Sequence, residues 1–301
     1  MWRQVLSILF VILLALCAPI CLDQYWLHVA IISLYYILLS SSWNLIAGYT
    51  GLVSFAHAGF AALGAYSSGL LTLYLGLSPI SGICIGTCFA GLAGLTLGGI
   101  TLRLGGIYLS LTTLGFSEIL RIIITNEEKW TRGTMGLQVP GLFSTYSKSS
   151  YYYAFLFIAI VVLILTWRLV HSNLGLCFRA VMDDELAANT SGVPTNQVRL
   201  IAFTGSSAIA GLAGALYGHY LMLITPDIGS LGQMFLILAM TMVGGLGTIL
   251  GPVVGAIFLQ VLSEKIRVYG EYHLLVFGLV TLVIVLFAPQ GLMGLLKRRK
   301  A

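Results

Sequence analysis

The chain has 301 residues, of which 58% are hydrophobic and only 8% charged, with a mean hydropathy of +0.99. Water-soluble domains carry about 25% charged residues, so this composition excludes a soluble enzyme, a nucleic-acid-binding module and a disordered linker. The formal net charge of +5 comes from a few residues at segment ends, and the 35 glycines suit close packing of apolar helices in lipid.

A spanning helix needs about 20 mostly apolar residues, and about ten segments qualify or come close. The first is Val5–Leu22. Its Leu14-Ala15-Leu16-Cys17 resembles a lipoprotein cleavage box, but Leu16 stands where a small residue is required. The apolar run also continues to Leu22, so the segment reads as an uncleaved span. Trp26–Ile46, Leu52–Leu75, Ile80–Leu102 and Ile107–Ile124 follow, then Tyr151–Val170 and Leu200–Leu223. Gly232–Val243 and Val253–Ile266 are short, with Gly244-Gly245-Leu246-Gly247 and Pro252 between them. They read either as two short spans or as one broken element with a re-entrant turn. Leu274–Phe287 is the last segment.

About ten spans place both termini on one side, and the tail Lys297-Arg298-Arg299-Lys300 makes that side cytoplasmic. This topology puts nine basic and three acidic residues inside, against six basic and seven acidic outside. The expected fold is therefore an all-α, polytopic transmembrane bundle forming one domain over residues 1–301. Residues 125–150 form an extracytoplasmic loop and residues 171–198 a cytoplasmic one.

Polar residues inside the spans are the candidate path residues, because charge is expensive at the bilayer centre. Glu118 and Arg121 are i, i+3 on one helix. They read as a neutralised structural pair or as an outer-gate contact. His57 reads as a satisfied core histidine or a residue of the path. Asn44 either bridges helices or caps a break at Gly48 and Gly51. Cys17 and Cys21, like Cys84 and Cys88, are i, i+4 pairs in apolar runs. With Cys177 they read as small buried thiols, and no Cys/His cluster has metal-ligand spacing.

Small-residue pairs recur at Gly82/Gly86, Gly94/Gly98, Gly214/Gly218, Gly247/Gly251 and Gly251/Gly255, the spacing of close helix crossings. Ala-Gly-Leu-Ala-Gly occurs at 90–94 and again at 210–214. The two copies lie in spans of opposite direction, as in an inverted repeat.

The inside loop is the richest stretch. Phe178, Met182 and Leu186 fall at i, i+4, i+8 and form an apolar stripe flanked by Arg179, Asp183 and Glu185. Gly192 and Pro194 are stop signals. A surface-lying helix usually carries Lys and Arg on its polar face, whereas the acids Asp183, Asp184 and Glu185 are repelled by an anionic leaflet. The helix therefore suits a groove on a partner protein better than the membrane surface.

In these motifs the chain resembles the permeases of branched-chain amino-acid ABC importers. The loop carries Gly175, Arg179, Ala180, Asp184, Glu185, Ala187, Ala188, Gly192 and Val193 in that family's order, with Met182 where a second Arg is usual. Asn44-Leu45 through Gly48, Gly51, Ser54, His57-Ala58 and Phe60 is similar to a second family stretch, and Thr113-Leu114-Gly115-Phe116 with Glu118 and Arg121 to a third. Gly133 and Gly136 fit a family loop. Val243-Gly244-Gly245-Leu246-Gly247 through Gly251-Pro252 resembles a family signature. The resemblance covers about Ser42 to Leu295 and points to the second of the family's two permease types.

The resemblance implies ABC ATPase subunits gripping Gly175, Phe178, Arg179, Ala180, Met182, Asp184, Glu185, Leu186, Ala187, Ala188 and Gly192. It implies a second, homologous permease chain, a soluble substrate-binding protein outside, and alternating access in a bacterial-type plasma (inner) membrane. Asn44, His57, Glu118, Arg121, Gly244, Gly245 and Gly247 are the candidate path or gate residues. The chain has no Gly-Lys dipeptide and hence no P-loop, nor a G-x-S-x-G or H-E-x-x-H motif. No cofactor, metal or nucleic acid is expected; membrane lipid is. Urea, amides and other small solutes are alternative cargoes within the family. From another class, an ion-coupled transporter needs an unpaired mid-span acid, and Arg121 is placed to neutralise Glu118. A membrane-embedded enzyme needs clustered His or acids, and the five His are dispersed.

Overall fold

The computed structural model describes residues 16, 18–19, 21–102, 106–143, 147–267, 273–287 and 291–298. The expected span Val5–Leu22 and the tail beyond Arg298 fall almost wholly outside these residues. Helix dominates, and five described helices are long and apolar enough to cross a membrane.

The central element is α1 (Gln24–Thr50), buried along nearly its whole length from Leu27 to Thr50. A helix apolar all round belongs in the interior of a bundle. It ends at Gly51, whose φ of 70° supplies the left-handed cap. Leu52–Leu75 was expected to be helical throughout, but residues 51–56 are non-helical and α2 begins at His57 (His57–Tyr74). The reason lies in the neighbours. Trp43 Nε1 donates to Ser54 O at 2.8 Å, Ser110 Oγ to Val53 O at 2.8 Å, and the Phe55 N–H reaches Thr113 Oγ1 at 3.0 Å. Side chains from two helices thus satisfy backbone groups that would otherwise require a helix in lipid.

Next come α3 (Pro79–Thr101), capped by Ser78 with Pro79 at its first position, and α4 (Gly106–Asn126). After the outer loop, α5 (Lys148–Val170) leads into α6 (Asn173–Asp183) and α7 (Glu185–Thr190), and α8 (Thr195–Leu221) returns through the bundle. The chain closes with α9 (Leu231–Gly244), α10 (Gly251–Ile266), α11 (His273–Phe287) and α12 (Gly291–Arg298).

Helices α2, α3 and α8 pack through glycine. A methyl added at Gly64 would strike the Gly211 carbonyl, one at Gly214 the backbone of Ala61, and one at Gly211 the Ala90 side chain. One at Gly94 would strike Ser207. The contacts Ala90–Gly211 and Gly94–Ser207 run antiparallel, so the two Ala-Gly-Leu-Ala-Gly segments lie across from each other. The same packing corrects the reading of Cys84 and Cys88. The glycine face of α3 turns inward, with Gly82, Gly86, Ala90, Gly94 and Gly98 buried, and both thiols are exposed on the opposite face.

The loop at residues 125–150 is less solvated than its composition indicates. The strand β1 (Leu137–Gln138) pairs antiparallel with β2 (Leu223–Ile224), in register Leu137 to Ile224. Leu137, Val139 and Ile224 are buried against Gly69 of α2. From β2 the chain turns back into the bundle through a 3-10 turn, Pro226–Gly229. Gly229 reaches Ala62, and Gln233 at the start of α9 accepts a hydrogen bond from Tyr36 of α1 at 2.8 Å. At 14 residues, α9 is about 21 Å long, short of the roughly 30 Å hydrocarbon thickness.

The segment 232–266, left open by its sequence, is an antiparallel helical hairpin. Gly244 lies against Gly251, and a methyl on Gly255 would meet Met240 O. The six residues 245–250 form the turn.

Replacing Gly214 by Ala drives a methyl into the Ala61 backbone, whereas Gly99 has open space around it. Gly214→Ala is expected to destabilise the chain by about 1–3 kcal/mol through overpacking, and Gly99→Ala to leave it unchanged or stabilise it by about 0.5–1 kcal/mol. Thermal unfolding of the two variants in the same detergent, read beside wild type, checks this.

Candidate functional site

Three constellations carry the expected site residues: the inside loop, the hairpin turn near Asn44, and the charged pair on α4.

In the loop at residues 171–198 the single helix expected over Phe178–Ala188 is divided. Asp184 adopts an extended conformation, φ −156° and ψ 112°, and separates α6 from α7. Its carboxylate accepts from the N–H groups of Leu186 at 2.9 Å and Ala187 at 3.0 Å, an N-cap for the second helix. The break also divides the apolar stripe. Phe178 is 0% exposed and packs with Leu45, Tyr49, Val170, Val181, Ala188, Val198 and Ala202. It faces the bundle, which corrects its expected presentation to a partner. Met182 is 49% and Leu186 77% exposed.

The other loop residues divide in the same way. Gly175 is buried, because any side chain there would meet the Val170 backbone at the end of α5. Ala188 is buried and Ala180 half-buried, whereas Arg179, Asp184, Glu185 and Ala187 are exposed. Arg179 Nη2 donates to Val170 O at 3.2 Å. A methyl on Gly51 would lie 3.4 Å from Met182 Cγ, so the loop also touches the end of α1. Gly192 closes α7 with φ 88° and open space around it.

Arg199 on α8 was missed as a site residue. It is only 8% exposed, and its guanidinium pairs with Glu185. Its sole sequence signal is an arginine immediately before the apolar span Leu200–Leu223; the partner lies 14 residues away across a turn. The pair ties the exposed face of α7 to the first turns of a spanning helix. A cavity of about 400 Å³ opens beside it, between Leu52 and Val53 on one wall and Ile107 and Leu109 on the other.

At the hairpin turn, Asn44 bridges elements; it does not cap its own helix. Its Nδ2 donates to Thr248 O at 2.9 Å, and its Oδ1 accepts from the Gly247 N–H at 2.9 Å. Gly245 (φ 120°) and Gly247 (φ 68°) hold conformations that side chains disfavour. A methyl on Gly247 would sit 2.9 Å from Gly48 O, and α12 abuts Gly244 and Gly245 through Gly291. His57 is nearby in sequence but plays no part here. It is fully buried against the edge of Phe60, and neither ring nitrogen meets a partner in hydrogen-bond geometry. It is a core histidine, with the Ser42 backbone beside its ring.

The third constellation is Glu118 and Arg121. Arg121 Nε donates to both carboxylate oxygens at 3.1 Å, and Nη2 also reaches Oε1. The side chains are 30% and 32% exposed, on a helix whose outer face carries exposed Leu111, Ile119, Ile122 and Ile123.

Removing the Asn44 amide leaves the Gly247 N–H and Thr248 C=O without their partner. Asn44→Ala is therefore expected to cost about 1–3 kcal/mol and to loosen the hairpin turn, measured as faster amide exchange over 244–251. Arg199→Met is expected to free Glu185 and speed exchange over 184–191, while exchange in the middle of α8 stays slow.

Comparison with known proteins gives a consistent answer. A family model described as the permease component of the branched-chain amino acid transport system matches residues 25–286. The high-affinity branched-chain amino acid transport system permease protein LivM of Escherichia coli K12 is 31% identical, over 97% of this chain and 75% of that protein. A probable LivM of Methanocaldococcus jannaschii is 26% identical, over 86% of this chain and 90% of that one. The LivH permease of Salmonella typhimurium is 25% identical, over 86% and 91%. No solved structure matches the chain.

Proposed function

The chain belongs to the family of branched-chain amino acid transport permeases, and on that footing we propose that it is the membrane subunit of an ATP-driven importer for branched-chain amino acids. In this reading it crosses a bacterial inner membrane about ten times with both termini inside. It pairs with a homologous permease, binds separate ATPase subunits through residues 171–198, and receives cargo from a soluble binding protein on the side of residues 125–150.

The observation that carries the proposal is the construction of α6 and α7. Phe178 and Ala188 anchor the loop to the bundle, and the Glu185–Arg199 pair ties it to α8. Among the outward residues are Leu176, Met182, Leu186 and Ala187 with the acids Asp183 and Asp184. An exposed apolar knob held rigidly at the end of two spanning helices suits a protein groove. Force applied to that knob by a partner reaches α5 and α8 directly, because the loop has no slack of its own. Alternating access then consists of rocking these helices as the ATPases close on ATP. The pairing of Glu118 with Arg121 speaks against an ion-coupled mechanism, which needs an acid free to change protonation.

Leu186→Asp places a charge on the exposed knob and touches no buried contact. It is expected to reduce ATPase co-purification from mild detergent at least about tenfold, the scale of one apolar hot-spot contact, with an unchanged melting temperature. Phe178→Asp, by contrast, is expected to lower the melting temperature by burying a charge. An ATPase that binds the Leu186 variant as well as wild type removes the loop from the interface.

A further inference from the structure

We propose that the outward side of α4, around Leu111, Gly115, Ile119 and Ile122, is the surface on which the homologous permease chain docks. The inference rests on the importer reading, which supplies a second permease, and adds to it the surface where the two chains meet.

The first observation is a charge at membrane depth on a thinly covered helix. Of the five described helices able to span, α4 is the least buried, 22% against 33% for α3 and α5. Its 21 residues run about 31 Å, and Glu118 lies about 3 Å past the midpoint. Arg121 neutralises Glu118, yet both side chains stay about a third exposed. Charges at that depth face protein or water, not hydrocarbon. The lipid faces of the chain look different. Helix α3 turns Phe89, Leu92 and Ile100 outward, and α5 turns Phe157, Ile164 and Leu165. Neither carries a charge near its middle.

The second observation separates protein from water. Leu111, Gly115 and Ile122 stand at i−7, i−3 and i+4 from Glu118, so they border it on the helix. Leu111, Ile119 and Ile122 are all exposed, and large aliphatic side chains grouped beside a charge mark a protein contact better than a water-filled channel. The inward side of α4 is already occupied. There Thr113 holds the Phe55 N–H, Ser117 holds Gly229 O, and a methyl on Gly229 would lie 4.0 Å from Arg121 Cβ. On the outward side a methyl on Gly115 would meet nothing within 4 Å. In lipid, a glycine so placed lets a second helix approach closely.

Two other occupants fit less well. The first expected span of this chain reaches the described residues beside α5, where Tyr153 Oη donates to Leu16 O at 3.1 Å. A second copy would be related by a two-fold axis along the membrane normal, which sets Glu118 opposite Glu118 at one depth. Like charges so placed repel. A homologue is free of that identity and can bring a donor to Glu118 Oε2, which among the described residues takes a single bond, from Arg121 Nε.

The test uses the complete complex, purified in mild detergent with its ATPases and partner permease. It reads the partner permease recovered per copy of this chain. Gly115→Phe fills the open space on α4 and is expected to lower that recovery at least about tenfold, by overpacking the contact between chains. Gly99→Phe makes the same change on α3, where a methyl also meets nothing within 4 Å, and is expected to leave recovery at the wild-type level. In otherwise wild-type complexes, a photoreactive benzophenone side chain at Ile119 is expected to join the partner permease, and one at Leu92 to join lipid. A Gly115→Phe variant that retains the partner as wild type does, or an Ile119 probe joined to lipid alone, overturns the α4 surface and leaves the importer reading intact. An Ile119 probe joined to a second copy of this chain overturns the choice of a homologue. Wild-type chain that brings down neither ATPase nor permease removes the importer reading, and the surface with it.

Discussion

Backbone-to-backbone contact among α2, α3 and α8 is the constraint on which the other elements depend. In lipid, apolar side chains gain little by leaving one hydrocarbon environment for another, so helices associate through close packing. Gly64, Gly86, Gly211 and Gly214 let these three helices meet with carbonyls where side chains would stand. Ser207 fills the place of a side chain at Gly94. With these helices fixed, α1 is enclosed on nearly every side, and its polar residues must find partners along a direction set by the packing.

Trp43 and Asn44 find them in non-helical segments, whereas Ser33, Ser42 and Thr50 bond carbonyls of α1 itself. Residues 51–56, the strand pair β1–β2, the turn Pro226–Gly229 and the hairpin turn 245–250 all interrupt the helices. Each is held by side chains from a neighbouring helix. Trp43 and Ser110 hold the first, Tyr66 reaches Ile224 O at 3.2 Å, Ser117 holds Gly229 O, and Asn44 holds Gly247 and Thr248. Short polar side chains on apolar helices thus act mainly as backbone partners.

The two charged features differ in kind. Glu185 and Arg199 join a loop to a helix and sit beside a buried aromatic anchor, an arrangement that transmits position. Glu118 and Arg121 join nothing across elements and lie on an open face. The first pair stiffens a contact surface. The second neutralises two charges within one helix.

The sequence by itself determined the membrane class, most helix positions, the stop at Gly192 and the local pairing of Glu118 with Arg121, because composition, apolar run length and i, i+3 spacing are local properties. Leu137 and Ile224 were not legible as a buried strand pair, since two-residue strands leave no periodicity. Cys84 and Cys88 were misread because an apolar run all round does not say which face glycine turns inward. Phe178 was misread because its side of α6 turns toward Leu45, Tyr49, Val198 and Ala202, which are distant in sequence, and Asp184 separates Leu186 from the same stripe. Arg199 was invisible as a site residue, being brought to Glu185 by a chain reversal. Tertiary structure alone decided these points. Which side of an apolar helix meets protein, and which distant charge meets which, depends on how backbones approach one another, and no spacing along one segment encodes that.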